Sequence, residues 1–273
     1  MNYEKHELLL DIKNISLKLG ENQILKNLNI EIHNIVRPNM TQGQVVGLLG
    51  PSGIGKSKFV ELISGLRKPD TGTIKIGTEQ KDVIPGIVGV VQQNYPLFNH
   101  RTIMSNMLLA SINIYKNKEE QLTACTNILK KLSMFEHIDK YPAQLSGGQR
   151  QRVAIAQQMV RRNEIYILDE PFSGLDINAI QSVSELIQTV TTENEKNTVI
   201  IISHDITNTL AISDMVWVMG RDIDTATNLH IPGSYIKYKF DLAEMGLAWQ
   251  PNITEIKQFN ELRTYIRQLF PTL

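Results

Sequence analysis

Apolar and polar residues alternate in two stretches near the start of the chain. A period of two is typical of half-buried strands. Because the two stretches follow each other closely, residues 8–32 are predicted to form an antiparallel ribbon. The alternating apolar positions are Leu8, Leu10, Ile12, Leu28, Ile30 and Ile32.

Further along, apolar residues come in short continuous runs that are typical of buried strands. Residues 94–161 lack such runs and are predicted to be helical, including a helix over 118–135. Strands separated by helical stretches predict a largely parallel sheet. The fold class is therefore α/β, with a mainly parallel sheet, an N-terminal antiparallel β part and an inserted helical subdomain at about 94–161. The runs lie at 45–49, 73–76, 87–91, 165–168 and 198–202.

Residues 221–273 form a C-terminal tail. Asn252 and Glu255 have the spacing of a capping box, with Asn in place of Ser or Thr. A helix is therefore predicted within 253–269, and its apolar stripe favours packing on the domain over binding a partner. The stripe consists of Ile256, Phe259, Leu262, Ile266 and Leu269.

Residues 50–57 read Gly-Pro-Ser-Gly-Ile-Gly-Lys-Ser and match the phosphate-loop pattern G-x-x-x-x-G-K-[ST]. An apolar run precedes them and a predicted helix follows, which is the context that the pattern requires. Lys56 is expected to reach the β- and γ-phosphates, and Ser57 is expected to bind Mg²⁺. The predicted phosphate-binding residues are Gly50, Pro51, Ser52, Gly53, Ile54, Gly55, Lys56, Ser57 and Lys58.

A second candidate phosphate site reads Leu-Ser-Gly-Gly-Gln at residues 145–149. Ser146 can cap the helix that follows, and Gly147 and Gly148 let an anion approach the backbone N–H groups. A plain N-cap with two turn glycines is the alternative interpretation.

Two adjacent carboxylates, Asp169 and Glu170, end an apolar strand. Burying charged carboxylates at a strand end costs free energy unless they bind a metal or take part in proton transfer. Asp169 is predicted to hold Mg²⁺, and Glu170 is predicted to act as general base on the attacking water. His204 ends the next predicted strand, where ligands bind in open α/β sheets.

In this order the motifs resemble those of the ATP-binding subunit of an ABC transporter, over roughly residues 8–220. The resemblance implies a P-loop NTPase core, in an ATP-binding domain over 1–220. It also implies that His204 contacts the γ-phosphate. The signature residues Ser146, Gly147, Gly148 and Gln149 would bind the ATP of a partner subunit. Ser173-Gly174-Leu175-Asp176 resembles the loop that crosses to the partner.

In the same family a glutamine contacts both Mg²⁺ and the attacking water. Gln92 and Gln93 are both available, but Gln93 has the family spacing to Phe98 and His100. Gln93 is therefore the predicted residue, and the metal set is Ser57, Gln93 and Asp169. The segment 95–100 would face a membrane subunit, whereas anchoring of Leu97 and Phe98 to their own core is the alternative.

Composition is consistent with this interpretation and excludes one class of binding partner. The 273 residues carry a formal net charge of zero, which argues against nucleic-acid binding. The single cysteine, Cys125, is expected to be a core or half-buried residue in a reducing compartment. No apolar run reaches the length of a membrane span, and the polar start is not typical of a signal peptide.

The sequence therefore predicts an ATPase that powers solute transport from the cytoplasmic face of a membrane, with ATP and Mg²⁺ as cofactors. Expected partners are a second copy or a similar subunit, membrane-spanning permease chains and a solute-binding protein. The organisation is importer-like, faintly of the nitrate, sulfonate and taurine type. A non-transport ATPase of the same fold, driving cell division or DNA repair, is the alternative. A switch GTPase or kinase is disfavoured because neither needs the Leu-Ser-Gly-Gly-Gln element.

Three positions depart from the family pattern. Leu19 stands where an aromatic residue usually stacks on adenine. Lys58 replaces the usual hydroxyl residue after Ser57. Residues 33–42 lengthen the loop before Gly43.

Overall fold

The computed structural model describes residues 3–37 and 42–273. Within them the strands form a four-stranded and a six-stranded sheet. In chain order the strands are β1 Glu4–Leu19, β2 Asn22–Val36, β3 Gln44–Leu49, β4 Thr71–Ile76, β5 Lys81–Asp82, β6 Gly89–Val91, β7 Ile165–Asp169, β8 Thr198–Ser203, β9 Met215–Gly220 and β10 Tyr235–Asp241.

The predicted helical insert lies between β6 and β7 and contains three α-helices with short 3₁₀ turns. None of the helices in the described ranges is long and apolar enough to cross a membrane. In chain order the helices are α1 Lys56–Ile63, α2 Ile103–Ala110, α3 Lys118–Lys131, α4 Gly147–Met159, α5 Ile177–Glu193, α6 Ile206–Ile212 and α7 Lys257–Leu269.

The smaller sheet confirms the predicted N-terminal ribbon. Its strand order is β2-β1-β4-β5, and β1 pairs with both β2 and β4 in antiparallel fashion. The alternating apolar residues are buried, except for the half-buried Leu8, because one face of this sheet packs on α1 and on the larger sheet.

The larger sheet has the order β10-β9-β3-β8-β7-β6 and confirms the predicted parallel core. The run 73–76 does not belong to it, because β4 pairs antiparallel with β1 in the smaller sheet. Strands β9, β3, β8, β7 and β6 run parallel, so their carboxyl ends meet at one edge. Leu49 lies opposite Ser203, Ile202 lies opposite Asp169, and Leu168 lies opposite Val91. The loops that carry the predicted phosphate, carboxylate and glutamine residues therefore leave the sheet side by side.

The C-terminal tail contains a strand that the sequence analysis does not predict. Strand β10 pairs antiparallel with β9 at the edge of the larger sheet. Helix α7 then packs on this sheet through Phe259, Leu262 and Ile266, which are buried. The apolar stripe thus faces the domain, as the pattern favours.

The capping box predicted at Asn252 is wrong. Asn252 has a left-handed backbone with φ of 51°, and its side chain makes no capping hydrogen bond. Its carbonyl instead accepts the Glu255 N–H at 2.9 Å in a 3₁₀ turn. Helix α7 starts only after Ile256, also without a side-chain cap.

Part of the segment 33–42 extends β2, whereas 38–41 lie outside the described residues. Arg37 is buried and forms an ion pair with the buried Asp214 beside β9. The Val45 N–H and the Trp249 indole N–H also donate to Asp214, at 2.8 and 2.9 Å. Burial raises the pKa of Asp214, while Arg37 and these donors oppose the shift. This pair ties the lengthened segment to the core and to the C-terminal tail.

Candidate ATP site

The predicted phosphate loop joins β3 to α1 at the carboxyl edge of the parallel sheet. Gly53 and Gly55 have φ values of 77° and 108°, a region that residues with a Cβ rarely adopt. Around Gly53 a Cβ would meet no atom within 4 Å, so the loop leaves open space on that side. The glycines thus let the backbone curve around a space in which phosphates fit.

Lys56 begins α1 and is half-buried. Its ammonium donates to the carbonyl oxygens of Gly50 at 2.6 Å and Pro51 at 3.0 Å. Burial lowers the pKa of Lys56, while the carboxylates of Glu170 and Asp169 oppose the shift. The Lys56 ammonium therefore interacts electrostatically with the two predicted carboxylates and bends back to bind the carbonyls of its own loop.

The next two residues have different surroundings. Ser57 is exposed in the first turn of α1, where backbone N–H groups are free to meet an anion. Lys58 forms an ion pair with Glu61 on the same helix. Its ammonium is thus engaged along α1, away from the predicted role at a phosphate.

Asp169 and Glu170 follow each other at the end of β7, next to the end of β8. Burial raises the pKa of Asp169, and the neighbouring Glu170 adds to the shift, while Lys56 opposes it. A cation at this edge would stabilise the charged carboxylate.

Glu170 adopts a left-handed backbone with φ of 50°. Such a conformation costs about 1–3 kcal/mol in a residue with a side chain, and it clusters at functional sites. Its backbone N–H donates to Ile202 O at 2.7 Å, which holds the residue against the end of β8. The strain is therefore offset by contacts that aim the carboxylate.

The Glu170 carboxylate lies in a small polar cluster at the end of β8. The Ser203 hydroxyl donates to Glu170 Oε2 at 3.1 Å, and His204 Nδ1 lies 2.9 Å from the same oxygen. The His204 side chain is 62% exposed and that of Glu170 only 16%, so the imidazole reaches from the carboxylate into the open edge. The structure thus brings the predicted base and the predicted histidine together.

Gln93 follows β6 and is exposed. Its amide nitrogen donates to the Ser173 hydroxyl at 3.4 Å, in the loop after Glu170. The predicted glutamine therefore lies beside the carboxylate loop, although its contact there is long.

The predicted metal set fits Mg²⁺ that is bound together with ATP. Ser57, Asp169 and Gln93 offer hydroxyl, carboxylate and amide oxygens, which are the hard donors that Mg²⁺ prefers. Over residues 3–37 and 42–273 no group of three or more His, Cys, Asp or Glu side chains could hold a metal ion. Phosphate oxygens of a bound nucleotide would supply further oxygen ligands of the kind that Mg²⁺ prefers.

The Leu-Ser-Gly-Gly-Gln segment forms the start of α4. Ser146 accepts the Gln149 N–H at 3.3 Å, and the Gln149 side chain accepts the Ser146 N–H at 2.9 Å. Ser146, Gly147 and Gly148 are exposed, and a Cβ on either glycine would meet no atom within 4 Å. A larger residue would therefore fit the fold at both positions, so a helix N-cap alone does not explain why both residues are glycine.

The groove beside this segment lies between α4 and α5. Its lining, taken over the described residues, includes neither the phosphate loop nor Asp169, Glu170 or His204. The two predicted phosphate-binding segments thus lie at separate places in one copy of the chain. Asp176 lies near this groove, where its carboxylate caps α5 by accepting the Ala179 N–H at 2.8 Å.

Leu19 ends β1 and is half-buried, opposite Asn22. On β2, Leu25 and Ile24 come within 3.1 and 3.3 Å of where a Gly55 Cβ would lie. The β1–β2 hairpin therefore borders the phosphate loop, on the side where a base could rest.

Leu97 and Phe98 differ in their surroundings. Leu97 is half-buried and packs on the core of the helical insert, whereas Phe98 is 51% exposed. Anchoring thus applies to Leu97, and a docking role is open only to Phe98. Cys125 is fully buried, as expected.

Four contacts at the site are not predicted from the sequence. Ser203 contacts Glu170, and Ser173 contacts Gln93. From the C-terminal tail, Arg221 and Ser234 contact the phosphate loop. Ser203 could have been found, since it precedes His204 at the same strand end. The positions of Arg221 and Ser234 depend on long-range packing.

The parallel sheet and the loop at its carboxyl edge define a nucleotide-binding ATPase of the P-loop class. A family model described as ABC transporter matches residues 34–173. The arginine transport ATP-binding protein ArtM of Bacillus subtilis is 32% identical over 221 residues, which cover 78% of this chain and 88% of ArtM. The chain therefore belongs to the ABC transporter family and is an ATP-binding ATPase.

Two further similarities agree with this membership. The sulfate/thiosulfate import ATP-binding protein CysA 1 of Shewanella oneidensis is 32% identical, over 88% of this chain and 65% of CysA 1. The ATP-binding cassette MJ0796, solved as a dimer in a post-hydrolysis state with ADP and Pi, is 27% identical with a TM-score of 0.65. That match covers 86% of this chain and 99% of MJ0796.

Proposed function

We propose that this chain powers the import of a solute across a membrane through separate membrane-spanning chains. One observation carries the proposal. Lys56, Asp169, Glu170 and His204 meet at one sheet edge, while the exposed Ser146 segment borders a separate groove. Such a divided site suits an ATPase that works by closing two subunits on ATP.

Hydrolysis depends on the polar cluster around Glu170. Its carboxylate accepts the proton of the water that attacks the γ-phosphate. Ser203 and the adjacent His204 orient this carboxylate, and His204 also contacts the γ-phosphate. The hydrogen-bonded, half-buried setting of Glu170 supports this role, because a fixed carboxylate needs little reorganisation during the reaction.

Lys56, Ser57 and the loop N–H groups bind the β- and γ-phosphates. Ser57, Gln93 and Asp169 would hold Mg²⁺, which neutralises phosphate charge when it is bound with ATP. The reach of the Lys56 ammonium across its own loop supports this binding role, because it can exchange carbonyl contacts for phosphate contacts.

The Ser146 segment of one copy binds the ATP held in the phosphate loop of a second copy or of a similar subunit. The open space around Gly147 and Gly148 supports this head-to-tail arrangement. Asp176 lies in the loop that crosses to the partner. Binding of ATP thus joins two subunits, and its hydrolysis releases them.

Closing of the dimer moves the membrane chains through Gln93 and the following segment, a population shift driven by differential affinity. This places the subunit at the cytoplasmic face of the membrane, with a solute-binding protein as a further partner. The choice of solute lies in those other chains.

Purification of the native complex tests the transport role. A polytopic membrane protein is expected to co-purify with the tagged subunit from detergent-solubilised membranes. Its absence, with an intact soluble complex in its place, would contradict transport and support a non-transport ATPase.

Phe98→Ala is expected to weaken this co-purification strongly while the lone subunit keeps its ATPase activity. The reason is that Phe98, in the segment 95–100 that follows Gln93, exposes half of its surface and can dock on a partner. The measurement is the amount of membrane partner recovered, together with a thermal melt.

The matched control is Leu229→Ala, since Leu229 is 68% exposed in the C-terminal tail. A marked loss of melting temperature in Phe98→Ala would show that Phe98 is a core residue. Leu97→Asp is expected to destabilise the insert, because a charge would enter its core.

Leu19→Trp is expected to tighten ATP binding by about 5- to 150-fold, since base stacking contributes about 1–3 kcal/mol per base. Calorimetry of ATP binding measures the effect, and Leu122→Trp in the helical insert is the control for adding an exposed aromatic residue. Unchanged affinity in both Leu19→Trp and Leu19→Tyr would mean that adenine rests elsewhere.

A further inference from the structure

The C-terminal tail reaches back to the phosphate loop at the start of β10. The Ser234 side chain is fully buried, and its hydroxyl donates to the carbonyl of Ile54, inside the loop. The Arg221 guanidinium donates to the carbonyl of Gly53 at 3.2 Å. Two successive loop carbonyls are thus held by residues far along the sequence.

Ser234 is itself fixed by backbone hydrogen bonds to β2. Its N–H donates to Ile24 O at 2.9 Å, and its carbonyl accepts the Lys26 N–H at 3.0 Å. Ile24 O lies 2.8 Å from the Ser234 hydroxyl as well. A carbonyl oxygen can accept two hydrogen bonds, so Ile24 O and Ile54 O both lie within reach of the single hydroxyl proton. Because the Ser234 N–H already satisfies Ile24 O, we assign the hydroxyl proton to Ile54 O.

The peptide between Ile54 and Gly55 can turn over at little cost. Such a turn changes ψ of Ile54 and φ of Gly55, and glycine adopts positive and negative φ about equally well. Such a peptide needs an anchor if it is to keep one orientation. The buried hydroxyl of Ser234 is placed to supply it.

The orientation of this peptide decides where the Gly55 N–H points. In a planar trans peptide the carbonyl and the following N–H point in opposite directions. Holding Ile54 O toward Ser234 therefore aims the Gly55 N–H away from the tail. The N–H groups of Lys56 and Ser57 at the start of α1 follow directly and are free for an anion.

We propose that Ser234 is a positioning residue for ATP binding, which anchors the Ile54–Gly55 peptide so that the Gly55 N–H is preset toward the phosphates. Arg221 supports the same loop through Gly53. The inference rests on the proposed ATP site, and it assigns part of the phosphate affinity to the C-terminal tail.

Ser234→Ala is expected to raise the Kd for ATP about tenfold, which corresponds to about 1.4 kcal/mol. The KM for ATP should rise by a similar factor, while kcat at saturating ATP stays within about twofold. Calorimetry and steady-state phosphate release measure these values on the full chain.

Ser213→Ala is the matched control. Ser213 is also fully buried, and its hydroxyl donates to the carbonyl of Thr209 at 2.6 Å, on α6. Both variants should lose similar melting temperature, but only Ser234→Ala should lose ATP affinity. Equal ATP affinity in Ser234→Ala, Ser213→Ala and the wild type would overturn the proposal.

A second variant covers the case in which Ser234→Ala does not fold. Ser234→Cys keeps nearly the same volume but offers a weaker donor, so its Kd should still rise. A wild-type Kd in Ser234→Cys would then overturn the proposal. If Lys56→Ala binds ATP as tightly as the wild type, the ATP site itself fails. If Lys56→Ala loses binding and the Ser234 variants do not, only the present inference fails.

Discussion

Glu170→Gln is expected to lower the rate of ATP hydrolysis by a factor of about 10²–10⁴ while ATP binding is retained. The amide cannot accept the proton of the attacking water, yet it keeps the size of the carboxylate and can still contact Ser203 and His204. Phosphate release at saturating ATP measures the rate, and calorimetry measures the affinity.

Glu164→Gln is the control for this result. Glu164 directly precedes β7, at the opposite end of the strand that Glu170 follows. The control should hydrolyse ATP as the wild type does. Wild-type turnover in Glu170→Gln, measured in the reconstituted complex, would remove Glu170 from the role of base.

Lys56→Ala is expected to weaken ATP binding by about 10- to 150-fold, because a charge-assisted hydrogen bond contributes about 1.5–3 kcal/mol. The variant also loses the contacts to the carbonyls of Gly50 and Pro51, so the loop is less well ordered. Calorimetric titration with ATP and with ADP separates the γ-phosphate contact from the β-phosphate contact.

The exposed Lys68 gives a control for the loss of one positive charge near α1. Lys68→Ala should bind ATP as the wild type does. If Lys56→Ala also binds ATP normally and melts at the wild-type temperature, the ammonium does not contact phosphate.

The sequence is informative about this fold where a local pattern has one physical meaning. Period-two alternation requires one buried face, and β2 follows it over 28–32, whereas β1 is buried continuously over 9–12. Continuous apolar runs require burial on both faces, and β3 and β8 are buried along their whole length. Motif residues at the ends of such strands must then share one edge.

Other features depend on contacts between distant segments. The aromatic and lysine residues of β10 alternate, but only pairing with β9 makes them a strand. Asn252 has the residue type of a helix cap, yet the chain turns through it in a left-handed conformation. Ser234 carries no local signal for its contact with Ile54, which is 180 residues away in the chain. The backbone of Glu170 is likewise set by Ile202, on a neighbouring strand.

In the proposed mechanism two copies of the chain complete the ATP site, with the phosphate loop of one facing the Ser146 segment of the other. Light scattering of Glu170→Gln during size-exclusion chromatography tests it most directly. With ATP and Mg²⁺ the mass should double from that of the 30.9 kDa chain, and adding Ser146→Arg should restore the single-chain mass. A single-chain mass at saturating ATP, or a dimer that persists with Ser146→Arg, would contradict the claim.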